Sequence, residues 1–317
     1  MGGSTQIDGN PKFNVGLDEQ FLKLKNEVLK NGLSILGFTG LGGSWKTTLA
    51  TKLCWDEQVE NDTCSSYWSN IQAAEAEVLI LTLHTNQYSN PEIINQISKL
   101  IVLIVTNYGF HPFQLENFNL DQISISSFTA LKNLKRLSLY MCNMSQVFET
   151  NTIPISEALP NLVELSIDYC KDMVQLPTGL CNITSLVNLT ISNCHKLSSL
   201  PKEIGNLENL EHLRLSSCTD LEWLPDSIGR LSNLRLLDIS KCISLRSLPE
   251  DIGNLSNLRS LYMINCAGCE LPYSVINFEN LKVICDEETA ISWEDLNTNI
   301  KIEIPQADVN LNWLHPI

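Results

Sequence analysis

The chain has 317 residues, 44% of them apolar, and its 21 Lys and Arg against 36 Asp and Glu give a formal net charge of -15. That length can hold two domains and that apolar content can fill a core, whereas the charge, with no Lys/Arg-rich run to offset it, excludes nucleic acid and anionic membranes as natural partners. The strongest apolar runs, Val78 to Leu83 and Leu100 to Val105, are far too short to span a bilayer, so no membrane insertion is expected.

Residues 1–12 are polar, read as a disordered lead-in and lack the pattern of a secretory signal. Met1-Gly2 opens like a myristoylation site, but Gln6 stands where that signal needs Ser or Thr. Residues 13–63 form the next unit. Leu17, Phe21, Leu24 and Val28 fall at helical spacing, Asn31-Gly32 supplies a stop, and Leu33 to Phe38 is a short apolar strand. The strand runs into Gly40-Leu41-Gly42-Gly43-Ser44-Trp45-Lys46-Thr47-Thr48, and a helical stretch follows to about Asp56. Strand, glycine-rich turn and helix form the setting of a phosphate loop. In such a loop Gly40, Gly42 and Gly43 let backbone N–H groups wrap phosphates, Lys46 reaches them, and Thr47, followed by Thr48, supplies a hydroxyl for Mg²⁺. Trp45 departs from the pattern: it stands where the motif has its last glycine, and a bulky indole obstructs the approach of phosphate to backbone. One strand-loop-helix unit also cannot bury its own faces. No apolar run ends in a paired acid, Val283 to Asp286 being the nearest, so the loop reads as a degenerate fragment of a P-loop NTPase domain.

After a linker over 64–77, repeats occupy 78–285. They begin loosely, with Val78-x-x-Leu81-x-Leu83 and Leu100-x-x-Leu103-x-Val105, and Ile123 with Ile125 suggests a shortened repeat strand. From Leu134 they become regular. Leu-x-x-Leu-x-Leu/Ile/Met-x-x-Cys recurs up to Cys142, Cys170, Cys194, Cys218, Cys242 and Cys266, the cysteines 28 residues apart once and then 24 apart four times. This is the period of a leucine-rich repeat solenoid, an α/β architecture with a parallel β-sheet on its concave face. Alternation places Leu213 with Leu215, or Leu237 with Ile239, on the buried side of a short strand. The Leu-Pro-x-x-Ile-Gly half returns along the outside as an irregular or one-turn helical segment, since Pro gives no ladder donor and Gly ends a helix. About eight repeat strands are expected, the third defective. Residues 286–317 read as a cap, with Trp293, Ile302, Ile304, Leu311 and Trp313 covering the last repeat.

Six of the eleven cysteines hold the same place in six repeats. Stacked strands bring them near one another with Cβ vectors parallel, which disfavours bridging, so they are expected to be buried thiols. Five Asn-x-Ser/Thr sequons, at Asn61, Asn143, Asn182, Asn188 and Asn254, carry little weight without a secretory signal. Reduced thiols and no export signal point to the cytoplasm.

The chain resembles plant intracellular immune receptors of the NB-ARC leucine-rich-repeat class, and within it the helper subgroup whose N-terminal domain is a four-helix bundle. The resemblance is carried by Pro11-Lys12-Phe13-Asn14-Val15-Gly16-Leu17-Asp18, by Lys46-Thr47-Thr48-Leu49 and by Val105-Thr106-Asn107-Tyr108-Gly109-Phe110. Asn193-Cys194-His195-Lys196-Leu197 and Cys285-Asp286-Glu287-Glu288-Thr289 extend it to the C-terminal run. It implies a role in innate immunity and, for the loop, an ADP- or ATP-dependent switch. The family's helical bundle, Walker B acid, Gly-Leu-Pro-Leu segment and Met-His-Asp motif have no counterparts here. Near residues 57–63 the chain passes directly to Cys64-Ser65-Ser66-Tyr67-Trp68, which is similar to the segment preceding the family's repeats.

The repeat strands leave three exposed rows. The first runs Arg136, Glu164, Asn188, His212, Leu236, Ser260; the second Ser138, Ser166, Thr190, Arg214, Asp238, Tyr262; the third Tyr140, Asp168, Ser192, Ser216, Ser240, Ile264. Such a surface is where solenoids bind other proteins. Arg136, Tyr140, Glu164, Asp168, His212, Arg214, Asp238 and Tyr262 are the candidate contacts, with Arg214 and Tyr262 as anchors because Arg and Tyr are enriched among hot spots. Cys266-x-x-Cys269 has no second pair to complete a zinc site, and the scattered histidines offer no nucleophile-base pair, so neither metal nor catalysis is expected.

Overall fold

A computed structural model describes residues 35–38, 77–83, 99–107, 113–114, 131–143, 155–296 and 300–305. The strands in chain order are β1 (Ile35–Phe38), β2 (Val78–Leu83), β3 (Val102–Asn107), β4 (Phe113–Gln114), β5 (Arg136–Tyr140), β6 (Cys142–Asn143) and β7 (Glu164–Asp168). They continue as β8 (Asn188–Ser192), β9 (His212–Arg214), β10 (Leu236–Asp238), β11 (Ser260–Tyr262), β12 (Lys282–Ile284) and β13 (Lys301–Glu303). Two helices, α1 (Ile155–Ala158) and α2 (Glu287–Glu294), complete the regular elements apart from 3₁₀ turns. Eleven strands make one sheet, ordered β1-β2-β3-β5-β7-β8-β9-β10-β11-β12-β13, while β4 pairs with β6 in a separate ribbon.

From β2 to β13 every pairing in this sheet is parallel and follows chain order, which is what repeated coiling of one unit produces. Alternate strand residues point inward. Leu137 and Leu139, Leu165 and Ile167, Leu189 and Ile191 are buried, and with the leucines and isoleucines of the returning halves they form one continuous core.

Strands β5 and β7 to β11 run into the same turn. The residue before each cysteine adopts a left-handed backbone: Met141, Tyr169, Asn193, Ser217, Lys241 and Asn265 have φ between 53° and 61°. That conformation suits Gly or Asn, and only two of the six are Asn, so the turn is imposed by the packing on either side. In the regular repeats the following cysteine reaches back to its neighbour. The Cys242 thiol donates to the Leu215 carbonyl at 3.0 Å and the Cys266 thiol to the Ile239 carbonyl at 3.2 Å. Those carbonyls also take the amide of their own repeat's cysteine, Cys218 N at 3.4 Å and Cys242 N at 3.2 Å. All nine described cysteines are free and buried.

The outer halves form 3₁₀ turns at Thr178–Asn182, Lys202–Asn206, Asp226–Arg230, Glu250–Asn254 and Tyr273–Asn277. Each follows a proline in extended conformation, where the missing N–H costs nothing. The glycines do not end these turns, contrary to the sequence expectation. Gly205, Gly229 and Gly253 lie inside them, where an added Cβ would sit 2.4, 2.2 and 2.4 Å from a backbone oxygen of the next turn. Glycine is there to let adjacent turns touch. Ile276 holds the same place in Tyr273–Asn277, the last of these turns, and is partly exposed.

Two further expectations change. β3 pairs directly with β5, Val102 beside Arg136, and the shortened strand expected at Ile123 and Ile125 lies outside the described residues. The sheet holds ten parallel strands among the described residues, not about eight, because the pattern that fades in sequence after Cys266 continues spatially as β12 and β13. The strand expected at Leu33 to Phe38 is present as β1, but it pairs antiparallel with β2, Ile35 beside Leu81 and Phe38 beside Val78. The loop residues Gly40, Gly42, Gly43, Trp45, Lys46, Thr47 and Thr48 lie outside the described residues, as do Leu311 and Trp313. In the cap, Trp293 is fully buried, Ile302 packs against the core and Ile304 is exposed. Asp286 caps α2, its carboxylate accepting from the backbone of Glu288 and Thr289, each at 3.1 Å.

Candidate functional site

The sheet's open face is built by register. Residue-for-residue pairing sets Arg136 beside Glu164, then Asn188, His212, Leu236 and Ser260 in one row. The same pairing sets Ser138, Ser166, Thr190, Arg214, Asp238 and Tyr262 in the second. The rows lie two positions apart along each strand, with one inward residue between them, which keeps both on one face. The third row is in register only from Tyr140 through Asp168 to Ser192, because the later strands are shorter. Side-chain contacts then carry it on. The Ser192 and Ser216 hydroxyls lie 3.1 Å apart, and the Ser240 hydroxyl accepts from the Ile264 amide at 3.3 Å. All eight sequence-derived contact residues thus fall on this one face.

Sequence reasoning missed the extension of these rows at the C-terminal end. Lys282 and Lys301 continue the first, Ile284 and Glu303 the second. Leu281-Lys282-Val283-Ile284 does show the strand alternation, and that was the available signal.

The two ends of the face differ in how far their polar groups satisfy one another. Towards the N-terminal end Arg136 forms an ion pair with Glu164, and the Asn193 amide donates to Asp168 at 2.8 Å. His212 Nδ1 lies 2.6 Å from Asn188 Oδ1. Tyr140 stacks near Tyr169, ring centroids 5.5 Å apart. Beyond His212 the pairing thins. Asp238 accepts from the Ser240 amide at 3.0 Å, whereas the Arg214 side chain is exposed and makes no hydrogen bond or ion pair among the described residues. Leu236, Tyr262 and Ile264 are half-buried beside them. At the far end Lys282 binds Glu303 at 2.6 Å, and its ammonium holds that carboxyl below the usual range.

Six of the buried thiols in these repeats are held in their unreactive form. Burial pushes the thiols of Cys142, Cys181, Cys218 and Cys269 up to about 12 and those of Cys266 and Cys285 to about 11. A thiol in that range stays protonated and unreactive at neutral pH. Among the described residues no group of three or more His, Cys, Asp or Glu could hold a metal ion. No helix among them is long and apolar enough to cross a membrane.

Residues 178–284 match a family model described as a leucine-rich repeat region. The chain is 54% identical over 274 residues to the probable disease resistance protein At5g66900 of Arabidopsis thaliana, covering 80% of this chain and 34% of that protein. The probable disease resistance protein At5g66910 of the same plant is 52% identical over 274 residues, with the same coverage of 80% and 34%. A third Arabidopsis thaliana relative, the probable disease resistance protein At5g66890, is 42% identical over 273 residues, covering 80% of this chain and 66% of its own length. The chain thus spans about a third of the length of the first two. Among solved structures, the leucine-rich repeat domain of the type III effector XopL aligns with a TM-score of 0.44 and 18% identity, over 90% of this chain and 100% of that one. The chain carries a leucine-rich repeat region and is homologous to plant disease resistance proteins, which makes it a disease-resistance-like leucine-rich repeat protein.

Proposed function

We propose that the chain is a non-catalytic protein-interaction module of plant innate immunity, acting in the cytoplasm and holding other proteins on the concave face of its sheet. The observation that carries this reading is the register that gathers eight separated contact residues into rows on one solvent-facing surface. The sequence segments shared with the helper subgroup of NB-ARC receptors support placing it beside that subgroup. A Thr190→Trp variant puts an indole in the middle of the second row without altering any charge or core residue. Proximity labelling from plant cells expressing the full chain is expected to return cytosolic proteins whose recovery the variant abolishes. Recovery indifferent to the variant contradicts a sheet-face interaction. Glycosylation at Asn182 or Asn188 contradicts the cytoplasmic assignment.

The alternative is an ADP- or ATP-binding switch using Gly40, Gly42, Gly43, Lys46, Thr47 and Thr48. Two points weigh against it: in sequence Trp45 stands at the position of the motif's last glycine, and β1, the strand that leads into this loop, is paired as an edge of the repeat sheet. Micromolar binding of fluorescent ADP that is lost in Lys46→Ala is the result that would favour it.

A further inference from the structure

Between β5 and β12 the open rows carry the basic side chains Arg136, His212, Arg214 and Lys282. Arg136 and Lys282 are neutralised by Glu164 and Glu303, and His212 is held by Asn188. Arg214 has no such partner among the described residues and is exposed. Its register neighbour Asp238 is turned to the Ser240 amide instead of the guanidinium. The next residue in the row is Tyr262, with Ile264 two residues along the same chain and Leu236 in the row alongside. A free guanidinium and an apolar-aromatic group therefore stand on one row, separated by a single strand.

Resting on the sheet-face reading above, we propose that this part of the face recognises an extended acidic-apolar segment of a partner protein. The partner places a carboxylate on Arg214 and an aliphatic or aromatic side chain against Tyr262. The spacing follows from the sheet. Strands lie about 4.8 Å apart, so Arg214 and Tyr262 are roughly 10 Å apart along the row. A segment in the polyproline II conformation advances about 3.1 Å per residue and completes a turn in three, so residues i and i+3 face the same side. The segment therefore reads Asp/Glu-x-x-apolar when it lies across the strands. Asp238, between the two anchors, disfavours a second acid at the intervening positions and accepts a backbone N–H or a basic side chain there. Arginine is suited to this task because its planar fork binds a carboxylate through two parallel hydrogen bonds. The N-terminal rows do not compete, since their charges are already matched to one another.

The probe is a random heptapeptide library displayed on phage, panned against the full chain. Enriched peptides are then synthesised and their binding measured by fluorescence anisotropy. Enrichment of Asp/Glu-x-x-apolar is expected, with roughly tenfold weaker binding to Arg214→Glu and a similar loss in Tyr262→Ser, the usual scale for an interface anchor. Both residues are off the core, and circular dichroism of each variant checks that the solenoid is intact. Absence of enrichment, or enriched peptides that lack the acid or show another spacing, overturns the proposal. Peptides blocked by Thr190→Trp yet indifferent to Arg214→Glu leave the sheet-face reading standing and overturn the acidic-apolar motif alone. Peptides indifferent to both variants overturn the two together.

Discussion

The repeats from β8 to β11 and the stretch from β2 to β7 belong to one sheet but are held together differently. In the later repeats each strand follows its predecessor by 24 residues, from Asn188 to His212 to Leu236 to Ser260. In the earlier stretch the step from Val102 to Arg136 is 34 residues and the next, to Glu164, is 28. Where the step is constant, side chains form ladders. Asn209, Asn233 and Asn257 each donate to a backbone carbonyl 25 residues back, at 2.8, 2.8 and 2.7 Å. The thiols of Cys194, Cys218, Cys242 and Cys266 each reach a carbonyl 27 residues back. In the irregular stretch Cys142 and Cys170 bond to carbonyls of their own chain two residues away. Strand pairing survives a change of loop length because it needs only alternating apolar residues, and the asparagine bond survives it too, Asn161 donating to the Lys132 carbonyl 29 residues back at 2.7 Å; the thiol ladder is what the longer loops interrupt.

That contrast can be broken at graded cost. The largest effect is expected at Gly229, where a Cβ meets the Asp251 carbonyl at 2.2 Å. Gly229→Ala should destabilise by about 3 kcal/mol through overpacking, read as a lower urea midpoint. Gly268→Ala, whose Cβ meets nothing within 4 Å, should leave that midpoint unchanged.

Next comes the thiol ladder. Cys242→Ala removes both a buried volume and a donor to Leu215, and should cost about 2 kcal/mol. Cys142→Ala loses the same buried volume but only a local bond to Tyr140, so its smaller midpoint shift would sharpen the distinction between the regions, and an equal shift would erase it. Asn233→Ala leaves the Glu208 carbonyl to water at an exposed edge and should cost about 1 kcal/mol by the same measurement.

In the opposite direction, Ser217→Gly relieves a left-handed residue with φ 59° and is expected to stabilise by about 0.5 kcal/mol, net of glycine's entropy. The smallest effect concerns pH. Burial pulls the Asp286 carboxyl up, but the amides of Asn265 and Thr289 and the Thr289 hydroxyl hold it below its ordinary value. Its contribution is therefore present above the unfolded value near pH 4 and is lost as pH falls through the lower folded one. Asp286→Asn should flatten the acid limb of a stability-pH profile, detected at α2 by hydrogen exchange.

Much of the regular region is legible in sequence because its signals are local and repeated. Leucine alternation sets which residues face inward, and proline marks where each outer turn begins. The exposed rows could be written down for the same reason: a fixed period makes register predictable. The irregular region resists such reading. Between β3 and β5 the step is longer than a repeat, yet β3 pairs directly with β5, so the period gives no guide to register there. Beyond Cys266 the consensus leucines thin out while Lys282–Ile284 and Lys301–Glu303 still add strands, since an existing sheet edge supplies the template.

The sequence by itself determined the solenoid, its period, its buried thiols and the residues on its open face, because each depends on spacing along the chain. Only the tertiary structure decided which of those face residues satisfy one another and which, like Arg214, are left unmatched. It also decided that Gly205, Gly229 and Gly253 serve close approach between turns, not helix termination. Both are matters of contact between repeats, and contact depends on how neighbouring coils are set against each other, which no single repeat encodes.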